Sequence, residues 1–137
     1  SLAKMEKPLW PDCISISNKD YLNYLENNNI THFAWSSQAR GFFINESLIK
    51  KIFRRKFHKY LKNCFYSIEN IERKKRAEKL AKKYNCKAND IALSWVINQR
   101  FPSYAIIGSR NISQLRYSIN SHKIKLTDQE KSWLNLL

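Results

Sequence analysis

The stretch AIIGSRNISQLRYSI, Ala105 to Ile119, holds one of only two glycines in 137 residues. Gly108 falls between an apolar run and a Ser-Arg pair, just ahead of a helical pattern. The run SYAII (Ser103 to Ile107) is short and apolar, so it predicts a strand. Asn111 is a suitable helix N-cap, and Ile112, Leu115 and Ile119 form the stripe of the helix it opens. Strand, glycine, polar pair and helix is the order found at the carboxyl end of a strand in a parallel α/β fold, where ligands bind. A helix start there offers unpaired N–H groups and the positive dipole end to an anion. Arg110 adds a planar fork for phosphate. A tight strand-to-helix turn without a ligand is the alternative.

The other glycine has a parallel setting. ITHFAW (Ile30 to Trp35) predicts a strand, and SSQARG follows as a polar turn ending in Gly41. Ser36, Ser37, Gln38 and Arg40 are suitable donors for a pyrophosphate. Glycine in either place lets the backbone approach a ligand or take a positive φ. Trp35, at the end of its strand, either packs in a core or stacks on a flat ring. Gln114 lies three residues after Asn111, so it either closes a capping box on the Asn111 backbone or touches a ligand.

The rest of the chain supplies a frame for these two turns. Residues 1–17 read as irregular, with Trp10 packed in a loop. NKDYLNYLENNN predicts a helix capped by Asp20 or a neighbour, with Tyr21, Leu22 and Leu25 facing inward and Asn27 to Asn29 stopping it. Glu46 to Leu61 is helical but charged and interrupted. Ser67 opens a stronger helix, on which Ile71, Ala77, Leu80, Ala81 and Tyr84 share one face. Asp90 to Gln99 predicts an apolar helix burying Ile91, Ala92, Leu93, Trp95 and Val96, ended by Phe101 and Pro102. Thr127 and Glu130 form a capping box for a terminal helix with Trp133, Leu134 and Leu137 inside. Strands separated by helical segments imply parallel pairing, because a parallel neighbour needs a crossover. Two strands do not make a stable sheet alone, so the sequence reads as part of a larger α/β structure.

Composition narrows the function classes. At 43% hydrophobic and 13% aromatic residues, the chain reads as packed rather than disordered. Its net charge of +14 attracts anions without choosing among them. Lys50 to Lys62 and Glu72 to Lys83 carry much of that charge, as solvated helix faces or as a nucleic-acid surface. AEKLAKKYNCKANDIALSWVI superficially resembles a helix-turn-helix, but its second helix is nearly all apolar, whereas a recognition helix needs polar side chains for base edges. Three scattered cysteines, Cys13, Cys64 and Cys86, support neither a zinc site nor a disulfide framework, and a reducing cytosol suits them. No apolar run approaches the ~20 residues that span a membrane, and SLAKMEKPLW lacks the apolar region of a signal peptide.

At these residues the chain resembles the C-terminal part of the aldo/keto reductases. FAWSSQARGFF looks like the seventh strand and following loop of that family's (β/α)₈ TIM barrel. RAEKLAKKYNCKANDIALSWVINQRFPSYAIIGSRNISQLRYSI looks like its seventh helix, eighth strand and eighth helix. LTDQEKSWLN is similar to the terminal helix, and SLAKMEKPLWPDCIS to the loop leaving the sixth strand. The resemblance implies an α/β chain that is part of such a barrel, with about two parallel strands and several helices. It implies a cytoplasmic, metal-free oxidoreductase that reduces small carbonyl substrates with NADPH. Trp35 would stack on the nicotinamide, and Ser36, Ser37, Gln38 and Arg40 would line the pyrophosphate. With the backbone approaching at Gly108, Ser109 and Arg110 would hold the adenosine 2′-phosphate. Gln114 would reach the same end, and Ser118 would face the adenine. Tyr117 stands where the family usually has an acidic residue, and Ser118 replaces a frequent Asn.

The family's catalytic Asp, Tyr, Lys and His come from the first half of the barrel, expected before Ser1. No residue here maps onto them, and His32, His58 and His122 read as structural or exposed. A barrel of this type takes ~250 residues. The expectation is therefore a C-terminal, NADP(H)-binding part over residues 1–137, with the N-terminal half of the barrel absent. The alternatives are a basic nucleic-acid-binding module and an inactive truncated remnant.

Overall fold

Asn18 starts the first helix. Its side-chain oxygen accepts hydrogen bonds from the backbone N–H groups of Asp20 at 3.0 Å and Tyr21 at 3.2 Å, so Asn18 is the neighbour of Asp20 that serves as cap. In this computed structural model, residues 1–8, 11–45 and 55–137 are described, and of Arg55, Phe57 and His58 only the backbone. The packing expected of Trp10 lies outside them.

In chain order the elements are α1 (Lys19–Asn27), β1 (His32–Ala34), a 3-10 turn (Ala39–Gly41), α2 (Arg55–Phe65), α3 (Ile68–Lys83), α4 (Ala88–Ile97), β2 (Ser103–Ala105), α5 (Ile112–Asn120), a second 3-10 turn (Ser121–Lys123) and α6 (Asp128–Leu134). The strands pair in parallel as expected, with His32 opposite Ser103 and Ala34 opposite Ala105. Both are shorter than the sequence suggests. Trp35 lies just past β1, and Ile106 and Ile107 just past β2, although the Ile106 N–H still donates to the Ala34 carbonyl at 3.0 Å. The helix expected over Glu46 to Leu61 begins among residues outside the described set. Its described part runs on to Phe65.

The helical layer rests on α4. Ile91, Ala92, Leu93, Trp95 and Val96 are all buried, as their pattern predicts. The indole of Trp95 donates to the Lys131 carbonyl at 3.0 Å, which satisfies its polar atom inside the core. The helix begins at Ala88 rather than Asp90. The Asp90 carboxylate reaches back to the Lys87 N–H at 3.0 Å, so it sits inside the first turn. α3 and β2 pack against α4, and α5 lies beside it. This burial removes α4 from any DNA groove, because a recognition helix must expose its side chains.

Three apolar assignments are corrected. Ile71 is exposed, although Ala77, Leu80 and Ala81 on the same helix are buried. The inward positions of the first turns of α3 hold Asn70 and Arg73 instead, joined by a hydrogen bond of 3.1 Å. Leu137 is also exposed, since α6 stops at Leu134 and only Leu134 of its apolar set is fully buried. The stripe of α5, Ile112, Leu115 and Ile119, faces solvent.

The capping box of α6 forms as expected. Thr127 Oγ1 accepts from the Glu130 N–H at 3.1 Å, and Glu130 Oε2 accepts from the Thr127 N–H at 2.9 Å. Burial alone would raise the Glu130 carboxyl. Donors from Lys83 Nζ at 2.7 Å, the Thr127 N–H and the Tyr84 hydroxyl at 2.8 Å outweigh it and hold the group at about 2. A carboxyl held below its unfolded value contributes stability above the unfolded pKa and loses it as pH falls through the folded one. Thermal melts are therefore expected to show a midpoint that drops between pH ~4.5 and ~2. Glu130→Gln should lower the midpoint at pH 7 and flatten that acid slope.

Candidate functional site

The turn after β1 is built from unusual backbone. Ser36, Ala39 and Arg40 have φ of 49°, 46° and 50°, and Gly41 has φ of 87°. A non-glycine residue in the left-handed region costs roughly 1–2 kcal/mol and persists where its surroundings over-determine it. Here the Ala39 N–H donates to Ser36 O at 2.7 Å, and the Gly41 N–H to Gln38 O at 2.9 Å. Ala39, Phe42 and Phe43 anchor the turn in the core. Lys74 of α3 donates to the Phe42 and Ile44 carbonyls at 3.0 and 3.2 Å. Sequence reasoning missed Lys74, because nothing local distinguishes it from the other lysines of its helix.

The turn after β2 is different. Gly108 lies outside the left-handed region, which corrects the positive-φ reading for this residue, and a Cβ built on it meets nothing within 4 Å. Ser109 is half-buried beside it. Arg110 is exposed, and its guanidinium has no partner among the described residues. Asn111 caps α5 as expected by accepting from the Gln114 N–H at 2.9 Å. Gln114 Oε1 accepts from the Arg110 N–H at 2.9 Å, one residue before the expected Asn111. Its oxygen therefore caps the chain, and its amide donors remain unpartnered among the described residues.

The two turns meet. Ser37, almost fully buried, donates through Oγ to the Ile106 carbonyl at 2.9 Å. Gln38 Nε2 donates to Ser118 Oγ at 3.1 Å, across 80 residues of sequence. Ser37 and Ile106 are thus tied at the carboxyl ends of adjacent parallel strands, and Gln38 is tied to the far part of α5. Trp35 is 39% exposed, so it is not a core residue. With Ser36 it lines a cavity of about 310 Å³ bounded also by Met5, Cys13, Ile16 and His32. Gly108, Ser109, Arg110 and Gln114 lie outside that cavity, all exposed but Ser109, which is half-buried. Arg40 turns away, its guanidinium 5.1 Å from the centre of the Tyr60 ring. Tyr117 carries Lys87 Nζ 3.6 Å from its ring centre, a cation on the face of α5 that no local pattern revealed.

His32 sits edge-on between Tyr21 and Phe101, and burial lowers its pKa. His122 is exposed, and the His58 side chain lies outside the described set. Cys13, Cys64 and Cys86 are free, and burial pushes the Cys86 thiol up to about 11. Among the described residues no group of His, Cys, Asp and Glu could hold a metal ion, and no helix is long and apolar enough to cross a membrane.

Comparison with known proteins bears on what this site holds. A family model described as the Aldo/keto reductase family matches residues 9–135. The chain is also 29% identical over 106 residues to a protein of Schizosaccharomyces pombe named Aldo-keto reductase yakc, NADP(+). That match covers 74% of this chain and 31% of the relative, so the chain spans about a third of the relative's length.

Proposed function

Because the chain belongs to the aldo/keto reductase family, we propose that it is the NADP(H)-holding, C-terminal part of an oxidoreductase that reduces aldehydes or ketones. The observation that carries this reading is that the polar turn after β1 is tied to the neighbouring strand end and to the helix that follows it, Ser37 to Ile106 and Gln38 to Ser118. In parallel α/β barrels that edge is where ligands bind. The relative's name specifies NADP(+), and the donor set here suits the same cofactor.

The residues divide the work by their geometry. Ser109 and Arg110, whose guanidinium has no partner among the described residues, sit at the capped start of α5, where hydroxyl, guanidinium fork and helix dipole together suit a 2′-phosphate. The open space above Gly108 lets the backbone come close to a ligand. Gln114 adds its amide donors beside Arg110, and Ser118, held by Gln38, lines the adenine side. Ser37 has committed its proton to Ile106, so it offers only its oxygen and backbone. Contacts to a pyrophosphate therefore fall mainly to Ser36, Gln38 and the turn, with Arg40 braced by Tyr60. Trp35 offers exposed indole surface for stacking on the nicotinamide. When bound, the cofactor supplies the hydride for the carbonyl carbon. The acid that protonates the oxygen comes from the family's catalytic residues, outside those mapped here. A small carbonyl substrate and a cytosolic setting complete the reading, the latter suited to three free thiols.

The test is a titration of the complete protein containing this chain with NADPH, followed by tryptophan fluorescence. Saturable quenching, stronger with NADPH than with NADH, is expected. Unchanged fluorescence, together with an Arg110→Ala variant of unaltered affinity, overturns the reading. The glycines give a paired prediction. Gly41→Ala should lower the melting midpoint, by ~1 kcal/mol of stability, because φ of 87° strains any side chain and the new Cβ comes 3.3 Å from Ile44. Gly108→Ala should leave the midpoint unchanged and weaken NADPH a few-fold, measured by the same titration.

A further inference from the structure

Helix α3 turns one face to solvent along its whole length. Ala77 and Leu80 fix its buried side, so the opposite side carries Ile68, Ile71, Lys75, Lys79 and Lys82, spaced three or four residues apart. From Ile68 to Lys82 this stripe runs about 21 Å. The three lysines are exposed and have no partner among the described residues. Ile68 and Ile71 are 85% and 42% exposed. Just ahead of the Ser67 cap, Tyr66 is 48% exposed, with its ring edge-on to the buried Phe42 at 5.3 Å.

The acidic residues of α3 do little to offset these lysines. Glu72 borders them, but it is paired with Arg76 at 3.0 Å. Glu78 accepts from Asn45 Nδ2 at 3.0 Å, and Glu69 lies on the flank toward Arg73. The face is therefore cationic, with an apolar patch at its N-terminal end. That combination separates the classes of anionic partner. A polynucleotide backbone satisfies lysines but gains nothing from two isoleucines, and a single-strand binder offers open aromatic faces to the bases. An acidic protein must bring a surface shaped to fit. A bilayer yields to a convex helix. Its phosphates meet the lysines, and its interface takes aliphatic and tyrosine side chains below the headgroups.

We propose that the outer face of α3 is a peripheral docking surface for an anionic lipid bilayer. Tyr66, Ile68 and Ile71 enter the interface. Lys75, Lys79 and Lys82 lie along the headgroups, with their aliphatic stems against the membrane. The helix lies on the surface and does not cross it. The inference goes beyond the NADP(H) reading and does not rest on it, because no residue of this face belongs to the turns after the two strands.

The experiment is co-sedimentation of the complete protein containing this chain with phosphatidylcholine vesicles, with and without about a third phosphatidylserine. Binding to the anionic vesicles alone is expected, and it should fade as salt is raised from about 0.1 to 0.5 M. Replacing Lys75, Lys79 and Lys82 together by Gln should weaken it about 100-fold, roughly fivefold for each charge, while replacing all three by Arg should keep it. Ile68→Ser with Ile71→Ser should weaken it about tenfold. All these side chains are exposed, so the melting midpoints should stay close to the parent's. Equal binding to neutral and anionic vesicles, binding to neither, or a loss with the lysines but none with the isoleucines would each overturn the proposal. So would tighter binding to polyuridylate or polyglutamate than to the anionic vesicles, which would assign the face to another class of partner. The unmodified protein already decides through lipid composition and salt, whatever a variant does to folding. No readout involves NADPH, so failure here is distinct from failure of the cofactor assignment.

Discussion

Arg110→Ala is expected to weaken NADPH by about 10- to 100-fold while leaving NADH nearly untouched. A hydrogen bond to a charged group contributes about 1.5–3 kcal/mol, and a bidentate fork engages more than one. The guanidinium is exposed and unpartnered among the described residues, so its loss costs the fold little. The melting midpoint without cofactor should stay within about 2 °C, since surface changes usually stay within ~0.5 kcal/mol. Ser109→Ala should act in the same direction with a smaller effect, because one neutral hydroxyl is removed. Fluorescence titrations with both dinucleotides in the complete protein measure the ratio. Equal losses for NADPH and NADH would place Arg110 on some other part of the ligand.

Asn70→Ala is expected to cost about 3–5 kcal/mol of stability, the range for stranding a buried charge. Asn70 is fully buried and uses both ends of its amide. Nδ2 donates to the Lys4 and Phe65 carbonyls at 2.7 and 2.8 Å, and Oδ1 accepts from the Lys4 N–H at 3.0 Å and Arg73 Nη1 at 3.1 Å. Arg73 is itself buried, which lowers its pKa, and its other contact, Nη2 to the Asn135 carbonyl, is 3.5 Å long. Its Nε has no partner among the described residues. Removing Asn70 leaves the guanidinium desolvated and nearly unpaired. Ile71→Ala, one residue along on the exposed side, should cost less than ~0.5 kcal/mol. Urea melts of the two variants separate the effects, and similar losses would show that the network adds nothing.

That pair of neighbours also marks what the sequence reveals. Local signals were legible: the caps at Ser67, Asn111 and Thr127, the apolar helix through Trp95 and the parallel order of the strands all follow from residues a few positions apart. Periodicity failed at Ile71 because it assigns the inner face to apolar side chains. The inner positions there are polar and are satisfied by Lys4 and Asn135, far away in sequence. The α5 stripe was visible as a stripe, but nothing local says which neighbour covers it. At the site, the residue sets after the two strands were readable, and so was the capping role of Asn111. The bond between Gln38 and Ser118, the grip of Lys74 on the Phe42 carbonyl and the seat of Lys87 on Tyr117 join distant segments and leave no local trace.

The pairing of β1 with β2 has a kinetic side. His32 and Ser103 are 71 residues apart, whereas α3 and α4 are joined by a short connector. Closing a loop of that length costs several kcal/mol of chain entropy, about 4 from the logarithmic term alone. The helical pair can therefore form first, and the strand register locks afterwards. The bonds from Ser37 to Ile106 and from Gln38 to Ser118 form only when that register locks, so they are expected to open before the helical pair does. A molecule bridging Ser36 and Arg110 would hold that loop shut. At a hundredfold excess over its dissociation constant it adds ~2.7 kcal/mol against opening, so the ligand would act as a clasp on the late-folding half of the chain.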